Sequence, residues 1–142
     1  MSSLKTRTFT EVEVGDVLPE LAIEMTSTLI IAGALASNDY TPVHHDKQAA
    51  VAQGLPDVIM NVLTTNGWVS RYVTDWAGPN AEIKKLGVKL GAPNVPGDTM
   101  KLTGKVLQKD EEQSVVDIEV VGKNSWGAHA TASVSVALPR GA

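Results

Sequence analysis

The strongest constraint on the fold is a change of pattern at Gly78-Pro79, where helical spacing gives way to strand alternation. Before this point, apolar residues at helical spacing predict one long helix over about residues 61–77 (Val62, Val69, Val73 and Trp76). After it, alternating segments separated by turn residues predict four strands, at residues 82–90, 99–108, 114–123 and 128–138. Short links between strands favour an antiparallel meander, and a single apolar-faced helix needs a curved sheet to cover it.

Shorter elements are predicted ahead of the long helix. Residues 21–25 are typical of a short strand, and the alanine-rich run 28–36 predicts a buried helix. A second short helix is predicted over residues 47–53, with Asp46 as its N-cap. The sequence contains no internal repeat and no linker, so we predict one α+β domain over residues 1–142 with a core at about 10–138.

Composition excludes several classes of protein. The chain has no cysteine, which removes disulfide, thiolate and zinc-thiolate sites. Its formal net charge of −4 and scattered basic residues argue against nucleic acid as a partner. No apolar run reaches the roughly 18 residues that a membrane span needs, and the N-terminus lacks an apolar leader. We therefore expect a cytoplasmic protein with no membrane partner.

The residues best suited to chemistry are concentrated in the segment 37–46. Asp39 and His44 are five positions apart, on a turn stiffened by Pro42 rather than on a helix. An imidazole and a carboxylate held this way form a compact pair for moving protons. His45 is expected to point away from its neighbour and stay outside the pair. The simpler alternative is that Asp39 only forms a turn or ends the preceding helix.

A known family carries a similar motif. The pattern Asp-x-Asn-Pro-x-His-x-Asp of the MaoC-like, (R)-specific enoyl-CoA hydratases resembles residues 39–46, DYTPVHHD. The turn Pro96-Gly97 and the predicted long helix also resemble that family, over about residues 10–138. The resemblance implies a hot-dog fold, which is a curved antiparallel sheet wrapped around one long central helix. It also implies that Asp39 and His44 activate the water that adds across the α,β double bond of an acyl-CoA thioester.

Two positions depart from the family's pattern. The family's Asn is Thr41 here, and the His-Gly that begins its central helix is replaced by Asn61-Val62. In the family the glycine N–H is an oxyanion donor, and the resemblance gives that role to the backbone N–H of Val62, since an amide needs no particular side chain. Thr41 and Asn61 are expected to bind the substrate. For Asn61 a helix cap is an equally open interpretation.

The segments 43–46, 51–54 and 71–79 are similar to one subgroup of the family, the small MaoC-like subunits of actinobacterial steroid enoyl-CoA hydratases. This implies a steroid side-chain enoyl-CoA as substrate. It also implies a hetero-oligomer with a second MaoC-like hot-dog protein, or otherwise a homodimer, with two sheets joined edge to edge. We expect no metal and no cofactor, because coenzyme A is part of the substrate.

The sequence also leads to an electrostatic prediction. If Asp39 follows a helix that ends near Ser37, the negative end of the helix dipole opposes its ionisation. We therefore predict a raised pKa for this carboxyl group. Because Asp39 and His44 would titrate as a coupled pair, the sequence does not assign base to one and acid to the other.

Three other functions remain open at this point. His44 and Asp46, with His129 downstream, have the ligand order of a 2-His-1-carboxylate metal site. A thioesterase of the hot-dog fold usually relies on a carboxylate on the central helix, where this chain offers only Asp75. A non-catalytic subunit that supports a catalytic partner would explain the departures from the family's pattern. Such a subunit would not need to keep both Asp39 and His44.

Overall fold

The structure is a computed structural model that describes residues 4–141. Its helices and strands follow in the order β1 (Val17–Glu24), α1 (Ser27–Ala36), α2 (Lys47–Ala52), α3 (Val62–Ala77), β2 (Glu82–Leu90), β3 (Thr99–Asp110), β4 (Val115–Asn124) and β5 (Gly127–Ala137). Short 3-10 helices lie at Phe9–Glu11 and Pro42–His44. The predicted α+β class is confirmed, and the four predicted C-terminal strands are all present. None of the helices within residues 4–141 is long and apolar enough to cross a membrane.

Within residues 4–141 the strands form a single antiparallel sheet of five strands in the order β1-β3-β4-β5-β2. The first strand begins at Val17, earlier than the predicted residue 21, because it extends through Pro19 at a bulge next to β3. Strands β3, β4 and β5 form the expected meander. The prediction that β2 belongs to the same meander is wrong, since β2 pairs with β5 at the far edge.

The link between β2 and β3, residues 91–98, therefore crosses the end of the sheet instead of making a hairpin. Backbone hydrogen bonds tie it to three other elements on the way. Gly91 donates to the carbonyl of His129 at 2.7 Å, and Met60 donates to the carbonyl of Asn94 at 3.1 Å. Met25 then donates to the carbonyl of Asp98 at 2.8 Å. These long-range contacts favour the crossover over a tight turn, and local sequence does not encode them.

Helix α3 lies against the sheet through one face. Its buried residues are Thr65, Val69, Tyr72, Val73 and Ala77. All of them except Thr65 belong to one apolar core that includes buried side chains from four strands of the sheet (Leu18, Met100, Leu102, Val106, Val116, Ile118, Val120, Val134 and Val136). Val62, which the sequence assigns to the apolar face, is 42% exposed because it lies at the first turn, beyond the edge of this core.

A buried histidine links this core to the crossover. His129 of β5 is only 2% exposed. Its Nδ1 lies 2.7 Å from the carbonyl of Ala92, which can only accept, so Nδ1 carries a proton. Nε2 then accepts from the hydroxyl of Thr65 at 2.9 Å. The ring is neutral in this arrangement, and burial lowers the pKa of His129 below the ordinary value.

We predict that acidification destabilises the fold through His129. Its folded-state pKa is lowered, so the unfolded chain takes up the proton first, and stability is lost as the pH falls below about 6.5. Thermal melts of the wild type and of His129→Gln across this range measure the effect. The variant is expected to melt lower near pH 7.5 but to depend less on pH. Equal pH dependence of the two melting temperatures would contradict the prediction.

Candidate active site

Asp39 is positioned by the way α1 ends. The hydroxyl of Ser37 donates to the carbonyl of Gly33 at 2.7 Å, and the N–H of Asp39 donates to the carbonyl of Ala34 at 2.9 Å. Between them Asn38 takes a left-handed backbone conformation, with φ 55°, as Gly or Asn often does just after a helix. The turn fixes the backbone from which the Asp39 side chain reaches the start of α3.

His44 ends the 3-10 helix that Pro42 begins. Its Nδ1 lies 2.7 Å from the carbonyl oxygen of Ile59, so Nδ1 is the protonated nitrogen and the ring orientation is fixed. Nε2 is left facing Oδ2 of Asp39 at 3.4 Å. The two side chains are 13% and 22% exposed, which shields the pair from bulk water but leaves it open to a ligand. The two predicted catalytic residues are therefore adjacent.

The Asp39 carboxylate is surrounded by donors. Its Oδ1 accepts from the hydroxyl of Thr41 at 2.7 Å and from the N–H of the same residue at 3.2 Å. Its Oδ2 accepts from Nδ2 of Asn61 at 3.0 Å. These hydrogen bonds, led by that from Asn61 and assisted by the nearby His44, lower the pKa of Asp39 to about 2. The predicted rise is wrong, because direct donors outweigh the dipole of α1.

Thr41 thus occupies the family's Asn position and donates to the Asp39 carboxylate. Its hydroxyl and backbone N–H both bind the same oxygen of Asp39, so it locks one side of the carboxylate. The predicted contact between Thr41 and the substrate stays a prediction.

Asn61 is the N-cap of α3, one of the two interpretations that the sequence left open. Its Oδ1 accepts from the N–H of Thr64 at 3.0 Å. Its Nδ2 donates to Ser37 at 2.9 Å as well as to Asp39. The residue is 1% exposed, and every hydrogen-bonding position of its side chain is used within the protein. The predicted role in binding substrate stays untested, and the geometry favours a role in holding Asp39.

Val62 follows Asn61 as the first residue of α3. Within residues 4–141 its N–H has no hydrogen-bond acceptor, as expected for the first turn of a helix. This N–H lies at the positive end of the helix dipole, one residue from the side chain that contacts Asp39. The arrangement suits a developing negative charge on a ligand oxygen. The role of Val62 as oxyanion donor stays a prediction.

The other polar residues of the motif have structural contacts. His45 is exposed, and its Nε2 lies 3.1 Å from the carbonyl of Tyr40. Asp46 caps α2, as predicted, by accepting from Gln48 and Ala49 N–H groups at 2.9 and 3.2 Å. His44, Asp46 and His129 are each held by different partners. Within residues 4–141 no three His, Cys, Asp or Glu side chains are grouped for metal binding.

Sequence reasoning did not identify the hydrogen bonds that connect α1 to α3. Ser37 accepts from Asn61 while its own hydroxyl is donated to the end of α1, so it takes part in holding the site. A serine at a helix end has no distinctive local pattern. Only the side-chain contact between residues far apart in the chain reveals its role.

The best-formed concavities within residues 4–141 do not border Asp39 or His44. A cavity of about 280 Å³ lies instead beside Arg7, Tyr72 and Trp76, away from the pair. Ligand sites usually bury most of their ligand. These concavities therefore do not supply walls for an extended substrate at Asp39 and His44.

The sequence is similar to known hydratases. It is 46% identical over 125 residues, which cover 88% of this chain and 95% of the relative, to the 3-oxo-4,17-pregnadiene-20-carboxyl-CoA hydratase beta subunit of Mycobacterium tuberculosis. The structure resembles a chain of the ChsH1-ChsH2 complex from the same organism, with a TM-score of 0.86 and 45% identity over 89% of this chain and 98% of that chain.

The fold also matches more distant structures. The R-hydratase PhaJ1 from Pseudomonas aeruginosa superposes with a TM-score of 0.85 over 94% of this chain and 86% of that chain, at only 20% identity. This confirms the predicted hot-dog fold. The family described as "MaoC like domain" matches residues 10–126, most of the described chain. The chain is therefore a member of the MaoC-like domain family, as its Asp39–His44 motif predicts.

Proposed function

We propose that this chain is the catalytic subunit of an enoyl-CoA hydratase, which adds water across the α,β double bond of a steroid side-chain acyl-CoA thioester. The observation that carries the proposal is the position of Asp39 Oδ2, 3.4 Å from Nε2 of His44. In its neutral form His44 presents a lone pair at Nε2, because Nδ1 donates its proton to a carbonyl group. Both groups then accept, and a water molecule with two protons complements them.

The low pKa of Asp39 is the basis on which we propose different roles for Asp39 and His44. A carboxylate with a pKa of about 2 is a weak base, and an imidazole is in general a much stronger one. We propose that Asp39 orients the water through one hydrogen bond. His44 Nε2 takes the other proton as the water oxygen forms its bond to Cβ. The π electrons of the double bond move to Cα and the thioester oxygen, and the proton held by His44 is delivered to Cα.

The negative charge that develops on the thioester oxygen needs a donor. The N–H of Val62, at the positive end of α3, is the group that we propose for it. This chemistry moves protons only, so we expect no cofactor beyond the coenzyme A of the substrate itself. The steroid acyl group is proposed from the activity after which the 46% identical relative is named.

The alternatives have less support. A thioesterase would need the carboxylate of Asp75, whose side chain is 65% exposed and lies 3.4 Å from Arg71. That residue is near the end of α3, far along the helix from Asn61. A non-catalytic subunit would not need a carboxylate held by several donors beside an imidazole with a fixed ring. We therefore keep hydration as the proposed reaction.

We also propose that the active assembly contains a second MaoC-like protein. A chain of the ChsH1-ChsH2 complex is 45% identical, and the concavities described for the single chain do not border Asp39 or His44. The sheet offers two edges. Both edge strands have one register irregularity, but only β1 also contains a proline, Pro19, which disfavours pairing with another strand. The β2 edge has regular register from Lys85 to Leu90 and no proline, so β2 is the proposed docking edge.

Replacing the catalytic groups tests the reaction. In the assembly with its partner, Asp39→Asn and His44→Ala are each expected to lower kcat by about 10²–10⁴-fold with enoyl-CoA substrates, because each removes one acceptor for water. His45→Ala is the matched control, since it removes the adjacent, exposed imidazole. Near-normal rates in both catalytic variants would contradict the proposed mechanism.

Hydrogen exchange tests the docking edge. We expect the backbone amides of β2 to exchange quickly at the open edge of the isolated chain, and to become protected when the partner binds. The amides of β1 are the internal control and are expected to change little. In one arm of the experiment the chain is mixed with ChsH2 of M. tuberculosis. In the other arm the chain is studied alone at rising concentration. Comparison of the two arms distinguishes a hetero-oligomer from a homodimer. Protection at β1 instead of β2 would contradict the proposal.

A further inference from the structure

The side chain of Asn61 connects the two halves of the candidate site. It is 1% exposed and starts α3, yet it reaches the carboxylate at the end of α1. The orientation of its amide follows from its partners. The backbone N–H of Thr64 can only donate, so the oxygen of Asn61 must face it at 3.0 Å. The NH₂ group must then face Asp39 and Ser37.

This orientation aims one N–H of Asn61 at Oδ2 of Asp39, the oxygen that also faces His44. Oδ2 is held from one side by Asn61, and Oδ1 is held from the other by Thr41. The carboxylate therefore cannot rotate without losing hydrogen bonds on both sides. The second N–H of Asn61 donates to Ser37, whose hydroxyl is fixed by the carbonyl of Gly33. No position in this chain of hydrogen bonds is left free to reorient.

From this geometry we propose that Asn61 is a positioning residue for catalysis, which joins the Asp39 carboxylate and the first N–H of α3 in one rigid unit. The inference rests on the proposed function, because that function assigns Asp39 and Val62 to the reaction. One side chain then fixes the group that orients water relative to the N–H that meets the thioester oxygen. A correct distance between the two matters because misplacement by about 1 Å costs about 10²-fold in rate.

A purely structural role as a helix cap is the competing explanation, and Asn61→Asp separates the two. An aspartate is as good an N-cap as asparagine, so it keeps the acceptor for Thr64 and leaves α3 intact. It replaces the N–H that faces Asp39 with an oxygen, which places two carboxyl groups together. The substitution therefore removes the donors to Asp39 and Ser37 and keeps the cap of α3.

In the assembled enzyme, Asn61→Asp is expected to lower kcat by about 10- to 100-fold near neutral pH, consistent with misplacement of a catalytic group. The acid limb of the pH profile is expected to move upward by at least about one unit, because the two carboxyl groups share a proton. The KM is expected to change by less than about 3-fold and the melting temperature by a few degrees, since the cap remains. Asp46→Asn, which alters the cap of α2, is the control and is expected to leave the acid limb unchanged.

A measurement without turnover keeps the test independent of the proposed function. The carboxyl carbon of Asp39 is followed by NMR as the pH is lowered, in the wild type and in Asn61→Asp. A rise in the titration midpoint of Asp39 in the variant supports the inference. If the enzyme hydrates no enoyl-CoA but this midpoint rises, the proposed function fails and the coupling of Asn61 to Asp39 stands.

Asn61→Ser provides a second variant in case the aspartate prevents folding. Serine is a good N-cap but removes the N–H donor without adding a charge. It is expected to lower kcat with a smaller shift of the acid limb than the aspartate gives. Variants that fold, keep wild-type kcat and leave the titration of Asp39 unchanged would overturn the proposal, since a cap alone would then explain Asn61.

Discussion

The packing of α3 against the sheet is the interaction on which the rest of the structure depends. Val69, Val73 and Ala77 are almost completely buried in it. Burial of one valine side chain stabilises by about 1.5–3 kcal/mol, whereas a typical hydrogen bond contributes about 1 kcal/mol net. The apolar face therefore determines where the helix lies. Its N-terminus, with Asn61 and Val62, is placed as a consequence, and the hydrogen bonds there refine the position by smaller amounts.

The candidate site lies where that N-terminus meets the end of α1. Asp39 arrives from α1 and His44 from the 3-10 helix that follows, while Asn61 closes the contact from α3. This arrangement of the three side chains matters for the proposed chemistry. A carboxylate with a pKa of about 2 stays charged across the physiological range, so in the proposed mechanism Asp39 orients water without competing for the proton. We propose the proton-accepting role for the imidazole of His44, whose ring is fixed by a backbone carbonyl.

The sequence was sufficient for the parts of the fold and site that depend on neighbours in the chain. The long helix and the four C-terminal strands follow from periodicity, and the pair Asp39–His44 follows from a short motif on a turn. The crossover after β2 was not predictable, because hydrogen bonds to Met25 and Met60 hold it from distant segments. Local turn chemistry carries no information about such contacts.

The absence of long-range contacts from local sequence also explains why the predicted rise in the pKa of Asp39 was wrong. The helix dipole is a local property that the sequence suggests. The contact with Asn61 joins residues 22 positions apart and exists only in the folded chain. The part that Ser37 takes in the site was not predicted for the same reason, since it depends on the hydrogen bond from Asn61 rather than on neighbours in the sequence. Residues that hold a catalytic group from another element are therefore the part of a site that a single sequence shows least well.

The most direct measurement is a crystal structure of the assembled enzyme with a bound, unreactive acyl-CoA analogue. The account predicts one ordered water within about 3.2 Å of both Asp39 Oδ2 and His44 Nε2, lying against Cβ of the acyl group. It also predicts the thioester oxygen within the same distance of the N–H of Val62. An acyl group bound elsewhere, with Asp39 and His44 far from Cβ, would contradict it.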